Sequence, residues 1–100
     1  LTPIHRGYAR FGDNNIQPDE SYPNSLGLYA DAYVDAVKEA ANVWAVPVID
    51  LNSICGLYPN ADSHTRYFHD AQSDRLHPNA EGHYRMALAY QLSSYPANFE

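Results

Sequence analysis

The fold class is decided by LGLYADAYVDAVKEAANVWAVPVIDLN, residues 26–52. Apolar side chains recur at helical spacing through its first two thirds, which predicts a helix over 26–44 with Ser25 as the N-cap. The β-branched run that follows predicts a strand over 46–52. Because Pro47 cannot donate to a sheet ladder, we expect an edge strand or one that begins at Pro47. The apolar face expected to be buried consists of Leu26, Tyr29, Tyr33, Val37, Ala40 and Trp44.

The flanking sequence indicates only part of a layered fold. Residues 1–25 begin with LTPI and become rich in Gly, Pro, Asp and Asn, which predicts a strand end and a long loop. Residues 57–77 lack a sustained period and are predicted as loop, with at most a turn of helix. Helical spacing after Pro78 predicts a terminal helix over 79–94, closed by Pro96. Two short strands cannot form a sheet covered on both faces, so we expect an α/β fold completed from elsewhere.

Composition excludes several classes of protein. The 100 residues contain 6 Lys and Arg against 12 Asp and Glu, which gives a formal charge of −6. The basic residues are scattered, so neither a nucleic acid nor an anionic membrane surface is expected as a partner. A single cysteine, Cys55, allows no internal disulfide and is expected to be a small buried hydrophobe. The chain opens without Met and without a signal-peptide pattern, so we expect a piece of a longer polypeptide.

The stretch DRLHPN, residues 74–79, carries the most informative chemistry. An aspartate three residues before a histidine can place its carboxylate against the imidazole Nδ1 if the backbone turns there. The Nε2 atom is then left to accept a proton, as in the acid and base of a Ser-His-Asp triad. Asp74 and His77 are therefore the candidate catalytic pair. The same spacing also fits polar loop residues that cap a helix, so spacing alone leaves both interpretations open.

Other polar and aromatic residues offer weaker hypotheses. Several ligand-type side chains lie within twenty residues and leave a zinc-binding module as a third hypothesis, but their spacing lacks the tight pairs typical of zinc sites, and we predict no metal site. Those side chains belong to His64, His69, Asp70, Asp74, His77 and His83. Asp50 ends the predicted strand, where it could face a ligand or cap the next turn. Loop tyrosines are candidate contacts for a sugar, namely Tyr8, Tyr22, Tyr58 and Tyr67.

The block DRLHPNAEGH, residues 74–83, followed by an apolar helix, resembles the last conserved block of the SGNH (GDSL-type) hydrolases. These are serine esterases and lipases on a flavodoxin-like α/β/α fold. LTPI at residues 1–4 is similar to the end of the family's fourth strand, and VPVIDL at residues 46–51 to its fifth, an edge strand. The Thr-Pro stretch followed by Arg6 and Phe11 is most similar to the rhamnogalacturonan acetylesterase-like branch, which deacetylates plant cell-wall polysaccharide.

The resemblance covers nearly all of the chain and only the C-terminal half of such a domain. It implies a partial flavodoxin-like three-layer α/β/α fold, with Asp74 as the triad acid and His77 as the base of a carbohydrate acetylesterase. No metal or organic cofactor is implied, and the substrate is an ester, with acetylated polysaccharide as its expected form. His83 matches the second histidine of the family's Gly-His pair and is expected on the first turn of the terminal helix, near His77.

The family's nucleophile and oxyanion blocks are missing from these 100 residues. GDNN at residues 12–15 is similar to the family's G-x-N-D block, but it follows the Thr-Pro strand instead of preceding it, so we reject the match. We therefore expect the isolated chain to be catalytically inert and to self-associate through the exposed faces of its sheet. The expected partner is the N-terminal half of the hydrolase domain or a second copy of the chain.

A non-catalytic module is the alternative hypothesis. Such a module would keep the truncated hydrolase scaffold and use loop tyrosines and histidines to hold a carbohydrate or a protein. The substrate class implies a secreted or periplasmic location, although an acidic chain with one cysteine also suits the cytoplasm.

Overall fold

The computed structural model describes residues 1–94, which combine helices with one antiparallel sheet in a mixed α/β arrangement. A 3₁₀ helix precedes the third strand, and the longest helix comes last. In chain order the elements are β1 (Ala9–Gly12), β2 (Asn15–Gln17), α1 (Ala30–Val43), α2 (Leu51–Ile54), the 3₁₀ helix (Asp62–Tyr67), β3 (Phe68–Asp70), β4 (Asp74–Pro78) and α3 (Ala80–Ser94).

The sheet has the strand order β2-β1-β4-β3, and each neighbouring pair is antiparallel. Ala9 of β1 lies opposite Gln17 of β2 on one side and opposite Asp74 of β4 on the other. In the turn between β3 and β4, the Asp70 carboxylate accepts the amide hydrogens of Gln72 and Ser73 at 2.8 and 3.0 Å. The sheet therefore joins the N-terminal segment directly to the DRLHPN stretch.

Two segments expected to be loop thus contain strands. The predicted loop over 1–25 contains the β1–β2 hairpin, whose two strands meet at Asp13 and Asn14, and its LTPI start forms no strand. The predicted loop over 57–77 contains the 3₁₀ helix, β3 and most of β4. These strands are only three to five residues long. Strands this short are set by hydrogen bonds to their neighbours, so hydrophobic alternation hardly marks them.

The first long helix is shorter than the predicted 26–44, and Ser25 does not cap it. Asn24 turns the preceding chain, because its side-chain Oδ1 accepts the amide hydrogens of Leu26 and Leu28 at 2.9 and 3.0 Å. Gly27 adopts a left-handed φ of 77°, which is incompatible with helix, so α1 begins only at Ala30.

The predicted apolar face of this helix is also wrong. Val34 is the buried residue of α1, whereas Tyr29, Tyr33 and Trp44 are exposed and Val37 is half-buried. A periodic pattern shows that a helix has an apolar face, but tertiary contacts decide whether that face is covered.

The predicted edge strand over 46–52 is not formed. Residues 46–50 lie outside helices and strands, and Leu51 and Asn52 belong to α2. One backbone hydrogen bond, from the Thr2 amide to the Ile49 carbonyl at 3.0 Å, joins this segment to residues 1–4. A β-branched run becomes a strand only when a neighbouring strand satisfies its backbone groups. The single bond from Thr2 is too little to form a strand here.

The small core lies between α2, α3 and the sheet. It consists of Leu51, Cys55, Leu57, Phe68 and Ala89, with half-buried apolar side chains around them. The terminal helix runs over Ala80–Ser94 against the predicted 79–94, and Pro96 lies outside the described residues. Within residues 1–94, no helix is both long enough and apolar enough to cross a membrane.

Candidate active site

Asp74 is the centre of the candidate site. Its side chain is buried at the start of β4, and Oδ1 accepts the amide hydrogens of Leu76 and His77, each at 3.0 Å. Aspartate bonds readily to amides two and three residues ahead, which turns the local backbone. These two bonds bring the His77 side chain back over the carboxylate, while backbone hydrogen bonds between Arg75 and residues 7 and 8 hold the strand in place.

The imidazole of His77 pairs with the second carboxylate oxygen. His77 Nδ1 lies 3.0 Å from Asp74 Oδ2. An ionised carboxylate only accepts hydrogen bonds, so Nδ1 carries the hydrogen and neutral His77 has its lone pair on Nε2. The His77 side chain is 63% exposed although its partner is buried. A fixed tautomer with an accessible Nε2 is the arrangement that a general base requires.

The carboxylate is held in its charged form. Burial raises the pKa of Asp74, but the amide hydrogen of His77, its imidazole and the amide hydrogen of Leu76 together outweigh burial, and the net pKa lies below the ordinary value. Hydrogen bonds to a carboxylate stabilise its ionised form. Asp74 is therefore negative at neutral pH and can stabilise an imidazolium at His77.

Two further side chains reach the pair through the sheet. The Nδ1 atom of His69, in β3, lies 3.4 Å from Asp74 Oδ2. The Phe11 ring, in β1, lies 5.5 Å from the His77 ring, tilted by 54°. Sequence reasoning missed both roles: it weighed His69 only as a metal ligand, and Phe11 only as part of the resemblance. The pairing of β4 with β3 and β1 brings these residues to the site, and no local spacing signals it.

Asn79 and Gly82 attach α3 to the segment that carries the pair. The Asn79 side chain accepts the Gly82 amide hydrogen at 3.0 Å and donates to the carbonyls of Arg66 and Phe68 at 2.7 and 3.0 Å. Asn79 is thus the N-cap of α3 and also a brace to the 3₁₀ helix and β3. A side chain at Gly82 would overlap the Tyr67 carbonyl oxygen, so only glycine lets α3 approach this closely.

The remaining histidines do not form a metal site with the pair. Within residues 1–94, no group of three His, Cys, Asp or Glu side chains is arranged to hold a metal ion. His64 Nδ1 accepts the Tyr58 amide hydrogen at 2.9 Å, and His83 is exposed on the first turn of α3.

Serine hydroxyls make local contacts elsewhere in the fold. The Ser53 hydroxyl donates to Asp50 at 2.8 Å, and the Ser21 hydroxyl donates to Asp19. Across the described part of the chain, no hydrogen bond joins a serine hydroxyl to His77. The geometry therefore supplies a base and its orienting carboxylate, without a serine nucleophile bonded to them.

Asp50 links three segments of the chain. Its carboxylate accepts the Thr2 and Ser53 hydroxyls, each at 2.8 Å, and pairs with Lys38 Nζ at 2.8 Å. The hydrogen bond from Lys38 has the largest influence on the pKa of Asp50 and lowers it, as do the bonds from Ser53 and Thr2. Together they outweigh the effect of burial, which raises the pKa, and the pKa of Asp50 falls to about 2. Asp50 thus ties α1, α2 and the N-terminal segment together.

The candidate sugar contacts and the cysteine have separate environments. Tyr67 is half-buried, with the guanidinium groups of Arg66 and Arg85 at 5.2 and 4.6 Å from its ring centroid. Tyr8 and Tyr58 are exposed, and Tyr22 lines a cavity beside the start of α1. Cys55 is buried as expected, and burial raises the pKa of its thiol.

The geometry defines the site as an aspartate–histidine dyad with an exposed imidazole. Comparison with models of known protein families and with curated proteins gives no match to this chain. The functional assignment therefore depends on the dyad and on the residues that carry the resemblance.

Proposed function

We propose that the chain supplies the aspartate and histidine of a Ser-His-Asp triad in an SGNH-type ester hydrolase, with an acetylated carbohydrate as substrate. One observation carries this proposal: a buried, ionised Asp74 holds Nδ1 of His77 at 3.0 Å while the imidazole stays exposed. The alternative, that Asp74 caps a helix, does not hold, because the amide hydrogens that it accepts belong to Leu76 and His77 of β4. Asn79 is the residue that caps α3.

The chemistry is a two-step acyl transfer. His77 Nε2 accepts the proton of a serine hydroxyl as its oxygen attacks the ester carbonyl, and Asp74 stabilises the resulting imidazolium. The imidazolium then protonates the departing sugar oxygen, which leaves an acyl-serine. In the second step His77 removes a proton from water as the water oxygen adds to the acyl carbon, and it then gives that proton to the departing serine oxygen, which releases acetic acid and the free serine.

The larger fold that we propose is the flavodoxin-like α/β/α domain of that family. Residues 1–4 and 46–51 are the segments that resemble its fourth and fifth strands, and the Thr2–Ile49 hydrogen bond joins them. The exposed apolar side chains on and around α1 also fit a domain in which another layer covers them.

The serine and the oxyanion donors come, in this proposal, from the N-terminal half of the domain, either in the same polypeptide or in a partner chain. The lack of a serine bonded to His77 within residues 1–94 is consistent with that division. The substrate class places the complete enzyme outside the cytoplasm.

The test is acetate release from an acetylated polysaccharide and from p-nitrophenyl acetate by the complete protein. His77→Ala should lower kcat/KM by about 10³-fold or more, because no other group is then placed to accept the serine proton in the transition state of the attack. His83→Ala is the matched control, an exposed histidine on the next element, and should stay within about twofold. Equal activity of the two variants would overturn the proposal.

The 100-residue chain alone gives a second measurement. We expect it and its His77→Ala variant to hydrolyse p-nitrophenyl acetate at the same rate, since an imidazole without a serine nucleophile contributes only background. His77-dependent turnover by the chain alone would contradict the assignment of the serine to the N-terminal half.

A further inference from the structure

A cavity of about 400 Å³ lies beside the start of α1, and neither Asp74 nor His77 lines it. This volume is within the usual range of small-molecule sites, about 300–1,000 Å³. We name it the α1 cavity; its polar and aromatic lining consists of Arg6, Gln17, Asp19, Glu20, Tyr22, Asn24 and Tyr33. Proline, leucine, isoleucine and alanine side chains complete the wall, so apolar and polar groups both line the cavity.

Arg6 is an incompletely satisfied donor in this wall. Its Nη2 donates to Gln17 Oε1 at 3.2 Å, while its Nε is buried without a hydrogen-bond acceptor in the described residues. An N–H group that is buried unpaired is unfavourable, so a small rotation of the guanidinium towards a ligand oxygen would be favoured. The donor therefore selects ligands that carry oxygen acceptors.

The acidic residues of the wall select against anions. Both oxygens of Glu20 lie within 3.0 Å of His5 Nδ1, and Asp19 Oδ1 accepts the Ser21 amide hydrogen at 2.8 Å. Asp19 keeps further lone pairs, because a carboxylate accepts about four hydrogen bonds. With two carboxylates and one guanidinium in the wall, a ligand that donates hydroxyl hydrogens fits better than one with negative charge.

Two tyrosines give the cavity its aromatic surface. Tyr22 is 63% exposed, and the Tyr33 hydroxyl accepts the Asn24 side-chain amide at 2.7 Å, which leaves its own hydrogen to donate. A ring with an apolar face and a polar edge binds ligands that have both kinds of surface. Sugars have this character, with C–H faces that pack on rings and hydroxyls that both donate and accept.

We propose that the α1 cavity binds a neutral sugar unit, with Tyr22 packed against its ring and Arg6 and Asp19 paired with its hydroxyls. This assignment rests on the proposed function in one respect, since it names where the carbohydrate of the substrate is held. Binding itself does not require the dyad, so it can be measured without any ester hydrolysis.

The experiment is saturation-transfer NMR on the 100-residue chain, with methyl glucoside and methyl galactoside as neutral probes, glucuronate as the acidic probe and cyclohexanol as the apolar probe. We expect transfer to at least one neutral glycoside and less to the other two probes. Tyr22→Ala should weaken that binding about 3- to 10-fold. Tyr84→Ala, a change at a tyrosine with the same 63% exposure outside the cavity, should leave it unchanged.

Asp19→Asn gives a second variant that conserves shape, because an amide oxygen can still accept from Ser21 while the charge is removed. It should weaken the neutral glycoside and strengthen glucuronate. No transfer to either glycoside, equal losses in the two tyrosine variants, or stronger transfer to glucuronate or cyclohexanol in the unmodified chain would each overturn the sugar assignment.

These experiments test the sugar-binding proposal and the esterase proposal separately. Glycoside binding that is unchanged in His77→Ala supports the cavity whatever the esterase assay gives. Ester hydrolysis that depends on His77, without glycoside binding, would retain the dyad and eliminate the cavity as a sugar site.

Discussion

The segment from β3 to the first turn of α3 and the helix α1 are held in place very differently. The first is braced by side-chain hydrogen bonds from Asp70, Asp74 and Asn79 and by the close approach at Gly82. In α1, Val34 is the buried residue, and the Lys38–Asp50 pair is its ion pair to a neighbouring segment.

The difference separates two kinds of order. Polar residues at short spacings shape the turns of this segment, and Asn79 and Gly82 attach it to the 3₁₀ helix and β3. The position of α1 depends instead on burial of its apolar side chains, and within residues 1–94 most of these side chains remain exposed. Rigid scaffolding around a candidate site and an open apolar surface nearby are what a chain completed by another layer would have.

The largest effect on this contrast should come from Gly82→Ala. The added methyl group overlaps the Tyr67 carbonyl and lies 2.9 Å from Pro78 Cβ, while the better helix propensity of alanine offsets only about 1 kcal/mol. We expect urea unfolding to show a net loss of about 2 kcal/mol.

Gly12→Ala is the matched control for this substitution, since a methyl group there meets nothing within 4 Å. It should change the free energy of unfolding by no more than about 0.5 kcal/mol. Equal effects of the two substitutions would mean that the α3 contact does not brace the dyad.

An intermediate effect should come from Asp50→Asn, which weakens the link between α1 and its neighbours. Since the folded pKa of about 2 lies below the unfolded value, the charged carboxylate stabilises the fold above about pH 4. This contribution is lost as the pH falls from about 4 to 2. We expect a loss of about 1–2 kcal/mol at pH 7 and a flatter acid limb of the stability curve.

Asp13→Asn provides the control, because the Asp13 carboxylate is exposed in the hairpin turn and, among residues 1–94, pairs with Arg10 on the surface. Its stability curve should follow that of the unmodified chain between pH 4 and 2. Parallel acid limbs for the unmodified chain and Asp50→Asn would show that Asp50 does not link α1 to the fold.

The smallest effect on stability should come from Trp44→Ser at the end of α1. Trp44 is 78% exposed, so its removal should change the free energy of unfolding by less than about 0.5 kcal/mol. The same change should reduce binding of a hydrophobic dye and self-association in sedimentation, because it removes a large part of the open surface. A loss above 1 kcal/mol would instead indicate that the chain itself covers Trp44.

Sequence reasoning succeeded where the physics is local. The spacing of Asp74 and His77 predicted a carboxylate–Nδ1 contact as one of two interpretations, and the structure has this contact; helical periodicity located α3 to within one residue at its start. It failed where Asn24 and Gly27 stopped the helical pattern, because a side-chain turn of this kind competes with helix over only four residues.

Long-range pairing explains the remaining differences. The VPVIDLN segment has strand propensity, but it receives a single backbone hydrogen bond from Thr2 and stays irregular. The weakly patterned segments around Phe11 and His69 form strands because each pairs with β4. Residue propensity favours a strand, but the strand forms only where a neighbouring backbone forms hydrogen bonds with it.

The amino-acid sequence by itself determined the Asp74–His77 contact and the start of the terminal helix, since each depends on residues within about four positions of one another. The approach of α3 at Gly82 instead depends on the Tyr67 carbonyl, which lies far from it in sequence. Only the tertiary structure decided that Phe11 and His69 meet the dyad, that Asp50 joins three segments and that α1 exposes its apolar face. Those outcomes depend on contacts between residues distant in sequence, whose formation is governed by sheet register and by the surface available for burial.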